Sequence, residues 1–103
     1  MTLRIKDPQA ILDYGFSFAS WLATGETIAT GATWGITPTG GITIATNAFT
    51  ATGWAAGHWN NGTTVMVALK GGTAGTVYTA TVHVSTTEGR EDDRSMEILV
   101  QQR

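Results

Sequence analysis

Turn-forming residues interrupt this sequence at short intervals, and that spacing constrains the fold more than any other feature. Asp7-Pro8, Thr24-Gly25, Thr37-Pro38-Thr39-Gly40-Gly41, Asn60-Asn61-Gly62, Gly71-Gly72-Thr73-Ala74-Gly75 and Glu88-Gly89 each favour a change of chain direction. Pro presets φ, Gly admits positive φ, and Asn and Asp bond their own backbone. Short strands between regularly spaced turns point to a sandwich or barrel. The residue types agree: Val, Ile and Thr together number 32, and their branched Cβ atoms suit a pleated, half-buried surface. Leu, Lys, Glu and Gln, the usual material of surface helices, are scarce.

Alternation locates the strands. From Thr76 to Thr86, Tyr78, Ala80, Val82 and Val84 share one face while Thr79, Thr81, His83 and Ser85 share the other, the period-two signature of a half-buried strand. Val65, Val67 and Leu69 alternate likewise, as do Met96, Ile98 and Val100, and more weakly Ile28, Thr30, Ala32, Trp34 and Ile36. Gly41 to Ile44 and Asn47 to Thr52 read as short strands, and Asn61-Gly62 as a hairpin turn, since both residues tolerate positive φ. Tyr14, Phe16 and Phe18 alternate, and Ala19 to Leu22 can close a short helical turn. About seven strands in 103 residues is the dimension of an immunoglobulin-like sandwich. In such folds a Tyr near the start of the penultimate strand bonds back across the corner; Tyr78 stands where that residue would, with Ala80 in place of the usual cysteine. An ordinary strand Tyr is the alternative.

The length fits a single domain over residues 1–103, with an extended N-terminal segment of about residues 1–12. Charge is distributed unevenly. Five of the fourteen formal charges precede Thr27, eight follow Thr87, and only Lys70 lies between. Six basic residues against eight acidic ones do not supply the clustered positive charge that nucleic-acid binding requires. With no Cys there is no disulfide framework, thiolate nucleophile or usual structural zinc site. No apolar h-region opens the chain and no run of about 18 apolar residues occurs, so a soluble protein without a signal peptide or membrane partner is expected.

No catalytic constellation emerges. Ser17, Ser20, Ser85 and Ser95 lie in no nucleophile elbow, and no Gly-rich run has the pattern of a phosphate loop. His58 and His83 lack the spacing of a metal pair, and His83 falls on the polar face of its strand. Glu91-Asp92-Asp93 lacks the spacers and Gly of a cation loop; flanked by Arg90 and Arg94, it reads as a solvated or ion-paired turn that can offer a partner a polar contact. No cofactor, metal or enzymatic activity is expected.

The aromatics divide in two. Tyr14, Phe16, Phe18, Trp34, Phe49 and Tyr78 occupy positions that alternation assigns to a core; Trp34 resembles the tryptophan that such sandwiches pack between their sheets, and its replacement by Ala would then cost about 3 to 5 kcal/mol. Trp54, His58, Trp59 and Asn60 lie instead in a Gly- and Asn-rich loop with no period that buries them together. Large aromatics with Asn serve protein interfaces and sugar platforms alike. A loop that folds its own Trp back onto the sandwich is the other reading.

Lys6-Asp7-Pro8, Ala10, Leu12-Asp13-Tyr14, Trp21-Leu22, Gly25-Glu26-Thr27-Ile28, Trp34, Gly71 through Tyr78 and Gly89 through Ser95 together resemble the small immunoglobulin-like phage fiber-tail adaptor proteins over nearly the whole chain. The chain departs from that pattern at Phe16-Ser17-Phe18, where the family has an acidic residue and Trp, and in a longer, Trp-richer stretch from Gly53 to Asn61. The resemblance implies a non-enzymatic virion component, made in the host cytoplasm, that sits on the tail or connector in several symmetric copies, a homo-oligomeric ring, and attaches fibers. Its partners would be other tail, connector or fiber proteins, with Trp54, His58, Trp59, Asn60 and Arg90 to Arg94 (Glu91, Asp92 and Asp93 between) as candidate contacts. The alternative from another class is a carbohydrate-binding or adhesive module that uses Trp54 and Trp59 as stacking platforms.

Overall fold

A computed structural model describes residues 2–29, 32–47, 49–51 and 54–102. Nine strands form: β1 (Thr2–Lys6), β2 (Ile11–Ser17), β3 (Thr33–Thr37), β4 (Ile42–Ile44), β5 (Trp54–Ala55), β6 (His58–Asn60), β7 (Thr64–Gly71), β8 (Val77–Ser85) and β9 (Glu91–Val100). One sheet has the order β1-β9-β8-β3 and the other β2-β7-β6-β5, with β4 also paired to β7. Among the described residues there is no helix. The protein is an all-β, immunoglobulin-like sandwich, with β1 running parallel to β9 and the other ladders antiparallel.

The alternating sequences do what the pattern dictates. Tyr78, Ala80, Val82 and Val84 on β8 and Met96, Ile98 and Val100 on β9 line the inner side of one sheet, and Val65, Val67 and Leu69 on β7 that of the other, all buried. The core divides into two parts: one is built on Tyr14, Val67, Leu69, Tyr78 and Ile98, the other on Phe18, Ile28, Val65, Val82 and Val84. Burying an aliphatic side chain of this size stabilises the fold by about 1.5 to 3 kcal/mol. Tyr78 does form the corner: its hydroxyl accepts the Thr73 N–H at 3.0 Å, and any side chain on Gly41 would run into that hydroxyl.

Several expectations need correction. Trp34 lies between the sheets, its ring stacked 6.1 Å from Phe16, but it is only half-buried because β3 is the last strand of its sheet. Only Thr33–Thr37 of the Ile28–Ile36 pattern is a strand; Ile28 makes an isolated bridge to Thr86, and Thr30 lies outside the described residues. The strand expected from Asn47 to Thr52 is absent from its described part, Ala48 and Thr52 lying outside. The short turn expected at Ala19 to Leu22 is present, closed by Leu22 N–H to the Phe18 carbonyl at 3.1 Å. Finally, β9 begins at Glu91, so Glu91 to Arg94 belong to a strand and not to the turn before it.

Polar side chains tie the two sheets together. Lys6, fully buried, ends β1 and donates from Nζ to the Gly71 carbonyl of β7 at 2.8 Å and to the Asp7 carbonyl at 2.9 Å. Burial disfavours its charge and lowers its pKa, against the pull of nearby Asp7. The carbonyls supply the hydrogen bonds without which a buried ammonium would be costly.

Candidate functional site

The residues from Trp54 to Asn60 are not a loop. Ala56 and Gly57 both take positive φ, 52° and 81°, the requirement of a two-residue type I′ turn, and β5 and β6 therefore pair as a hairpin with Trp54 opposite Trp59 and Ala55 opposite His58. Glycine is needed at position 57 for a second reason: a Cβ there would press into Ile44 and the Ala45 carbonyl. β6 continues onto β7 with Trp59 opposite Met66 and His58 opposite Val67. Asn61-Gly62 makes the turn as expected, although only Gly62 has positive φ; Asn61 Oδ1 instead accepts the N–H groups of Thr63 and Thr64 at 3.0 and 2.8 Å.

Because directly opposed residues share a face, Trp54, Trp59 and Met66 lie on one side of the hairpin, and Phe49 packs on Trp54 at 4.8 Å between ring centroids. Trp54, His58, Trp59 and Asn60 are all half-buried. Asn60 Nδ2 donates to the Ala29 carbonyl at 3.2 Å and its Oδ1 accepts Gly62 N–H at 2.7 Å, so its amide is committed within the chain. Between this hairpin and β3 lies a largely apolar cavity of about 180 Å³, bounded by Ala32, Trp34, Ala55, His58, Val65 and Met66 among others.

The second group of candidate residues lies in the other sheet and splits by the strand alternation. Arg90, Asp92 and Arg94 turn to the molecule itself. Arg94 donates to the Ser17 carbonyl at 3.0 Å, stands 4.1 Å over the Phe18 ring and pairs with Asp92 at 3.5 Å. Arg90 lies 4.3 Å over Trp21, donates to the Trp21 carbonyl at 3.0 Å and forks onto buried Glu26, with Nε to Oε2 at 2.9 Å and Nη2 to Oε1. Glu26 also accepts Ala23 N–H at 2.9 Å and Thr86 Oγ1–H at 2.6 Å. These bonds, the Arg90 fork foremost, hold its carboxyl down at about 2, and the same fork raises the Arg90 guanidinium.

Glu91 and Asp93 turn outward, where His83 lies between them. Its Nδ1 is 2.5 Å from Asp93 Oδ1 and its Nε2 is 2.8 Å from Glu91 Oε1. With a carboxylate at each nitrogen the ring favours carrying both protons, and its pKa is raised, by the bond to Asp93 first and then by Glu91. The sequence places His83 on the polar face but says nothing of its partners. The register does: the short Thr86–Arg90 connection sets His83 against Asp93 and Ser85 against Glu91.

The two groups of candidate residues are therefore not one site. The hairpin offers aromatic area next to an apolar cavity, while the β9 residues offer two exposed carboxylates clamped on a histidine. Among the described residues no group of three or more His, Asp or Glu side chains is arranged to hold a metal ion, and no helix is long and apolar enough to cross a membrane. Curated proteins contain no match to the chain. A family model described as "Podophage GP4 fiber-tail adaptor protein gp77" matches residues 6–99, a span that contains both groups.

Proposed function

The chain belongs to the podophage fiber-tail adaptor family, and from that premise we propose that it is a non-enzymatic structural protein of the virion that joins fibers to the tail or connector through protein–protein contacts, in several symmetric copies. The observation that carries this reading is the extent of the family match, residues 6–99, which leaves little of the chain for an unrelated role. The hairpin residues Trp54, His58 and Trp59 supply aromatic contact area beside Asn60, whose amide is engaged within the chain; of Arg90 to Arg94, Glu91 and Asp93 supply the exposed charge, since Arg90, Asp92 and Arg94 are engaged within the chain. Interfaces draw on this pairing of an aromatic anchor and a specific polar contact. Electron microscopy and mass spectrometry of purified particles of the phage that encodes the chain test the reading: density at the tail or connector supports it, and absence of the chain from infectious particles overturns it.

A glycan-binding module is the alternative, favoured by one observation, the opposition of Trp54 and Trp59 across the hairpin. A glycan array with Trp59→Ala as control separates the two readings. No binding, or binding that the substitution leaves unchanged, removes the alternative.

A further inference from the structure

The geometry points to the outer face of the β1-β9-β8-β3 sheet as the seat of another virion protein, one that brings apolar side chains flanked by Lys or Arg. This rests on the adaptor reading and names one surface through which the chain holds a partner. The ladder registers assemble that face. Ile5 stands beside Leu99 and Leu99 beside Val77, a row across three strands, and the next row on the same side is Leu3, Glu97 and Thr79. Alternation turns both rows outward, because the chain neighbours Lys6, Tyr78, Ile98 and Val100 are buried. Leu3, Ile5 and Val77 are 52%, 45% and 46% exposed, three of the five exposed large hydrophobic side chains among the described residues, and Leu99 is partly exposed. Single surface leucines are ordinary, whereas apolar side chains contiguous across strands mark an interaction site. Val77 and Leu99 belong to the two inner strands of the sheet, so the patch looks out from a face and not from an edge.

Beyond the apolar rows the same face turns acidic. Its outward positions on β9 are Glu91, Asp93, Ser95, Glu97 and Leu99, and by the registers no outward position of the four strands is a Lys or Arg. His83 lies between Asp93 and Glu91 and offsets part of their charge. Glu97, beside Leu3 and Thr79, takes part in none of the ion pairs among the described residues. Cations set opposite Glu97 and Asp93 attract the partner and fix its orientation, while an acidic partner is repelled.

The same chemistry narrows the occupant. No outward position of these strands is Phe, Tyr or Trp, so the face has no aromatic ring on which a sugar stacks, and its carboxylates repel the phosphates of nucleic acid or anionic lipid. A second copy of the chain is a poor match. Of its six basic residues, Lys6 is buried and Arg90 and Arg94 are engaged within the chain, which leaves few cations to meet an acidic face. A different protein with a basic rim around apolar side chains fits both halves of the surface.

The test uses a phage that lacks the gene, complemented with the full chain in trans. Val77→Lys and Leu3→Lys put a cation into the apolar rows, and Glu97→Lys reverses the charge beside them. Unfolding midpoints that match the wild type show which variants fold, and any one of the three that folds suffices. Each is expected to lower the amount of chain or of fiber retained by purified particles about tenfold or more, read by quantitative mass spectrometry. Val77→Glu, which spoils the apolar row but keeps the sign that suits a basic partner, is expected to lower it less than Val77→Lys. Wild-type amounts of both proteins with every folded variant overturn the proposal. So does a larger loss with Val77→Glu than with Val77→Lys, which makes the partner acidic. Self-association in solution that Val77→Lys abolishes, read by light scattering, makes the occupant a second copy, and complete particles that no longer adsorb to cells make it a host molecule; either result also overturns it. The adaptor reading fails separately, when wild-type particles lack the chain, whereas chain present in particles together with tolerated variants sinks this face alone.

Discussion

The β5–β6 hairpin and the first half of β9 contain the residues that stand out chemically in this chain, and they use them in opposite ways. In β9 and the residue just before it most of the charge is consumed internally: Arg90 is locked onto Glu26 and Trp21, Arg94 lies on Phe18, and His83 is held by Asp93 and Glu91. The hairpin does the reverse: Trp54 and Trp59 are only half-buried, and Trp59 borders the apolar cavity. Conspicuous charge here closes one end of the sandwich, whereas the hairpin keeps its aromatic area incompletely buried.

The contrast can be broken by substitution. Phe18→Ala removes the fully buried ring beneath Arg94 and is expected to cost about 3 to 5 kcal/mol, read from the denaturation midpoint; a loss below about 1 kcal/mol would mean that the closed end contributes little. A smaller effect is expected from Glu26→Gln, which lowers the midpoint at neutral pH and removes an acid sensitivity. The folded pKa of Glu26 is about 2 against an ordinary 4.5, so its contribution is complete above 4.5 and disappears as pH falls toward 2. The wild type should lose stability more steeply than the variant over that interval.

On the other side of the comparison, Trp54→Ala removes a half-buried ring and is expected to cost only about 1 to 2 kcal/mol while weakening fiber or tail attachment. A loss as large as that of Phe18→Ala would make the hairpin a core element. The smallest effect belongs to His83. Its pKa is raised in the fold, so its stabilising effect is complete below the ordinary value of 6.5 and fades as pH rises through the folded value. In an unfolding series from pH 6 upward, His83→Gln should flatten that decline; an unchanged profile would show that the carboxylate clamp is energetically idle.

Alternation made β7, β8 and β9 legible because a run of inner apolar residues in each, such as Val65, Val67 and Leu69 or Met96, Ile98 and Val100, leaves one register with a buried face. The corner made by Tyr78 was legible for the same reason. The hairpin was not, since its turn is Ala56-Gly57 and a β-carbon-bearing residue at φ 52° carries none of the Asn-Gly signal that usually announces a type I′ turn. Nor was β1 legible as a strand, because its short alternation runs in the inverted sense, with Leu3 and Ile5 exposed and Lys6 buried, and its parallel partner, β9, is more than ninety positions away. The outward-facing part of the Arg90 to Arg94 stretch could not be separated from the internal part until its strand was known, since alternation alone sends Arg90, Asp92 and Arg94 inward and Glu91 and Asp93 out.

By itself, then, the sequence determined that this chain is a strand-rich sandwich with all of its charge but Lys70 near its ends, because periodicity and turn chemistry act over a few residues and need no distant partner. Which charges are engaged within the chain and which strands end the two sheets were decided only by the tertiary structure. Those properties depend on groups as far apart as Glu26 and Arg90, or Lys6 and Gly71, whose meeting is set by sheet order and register.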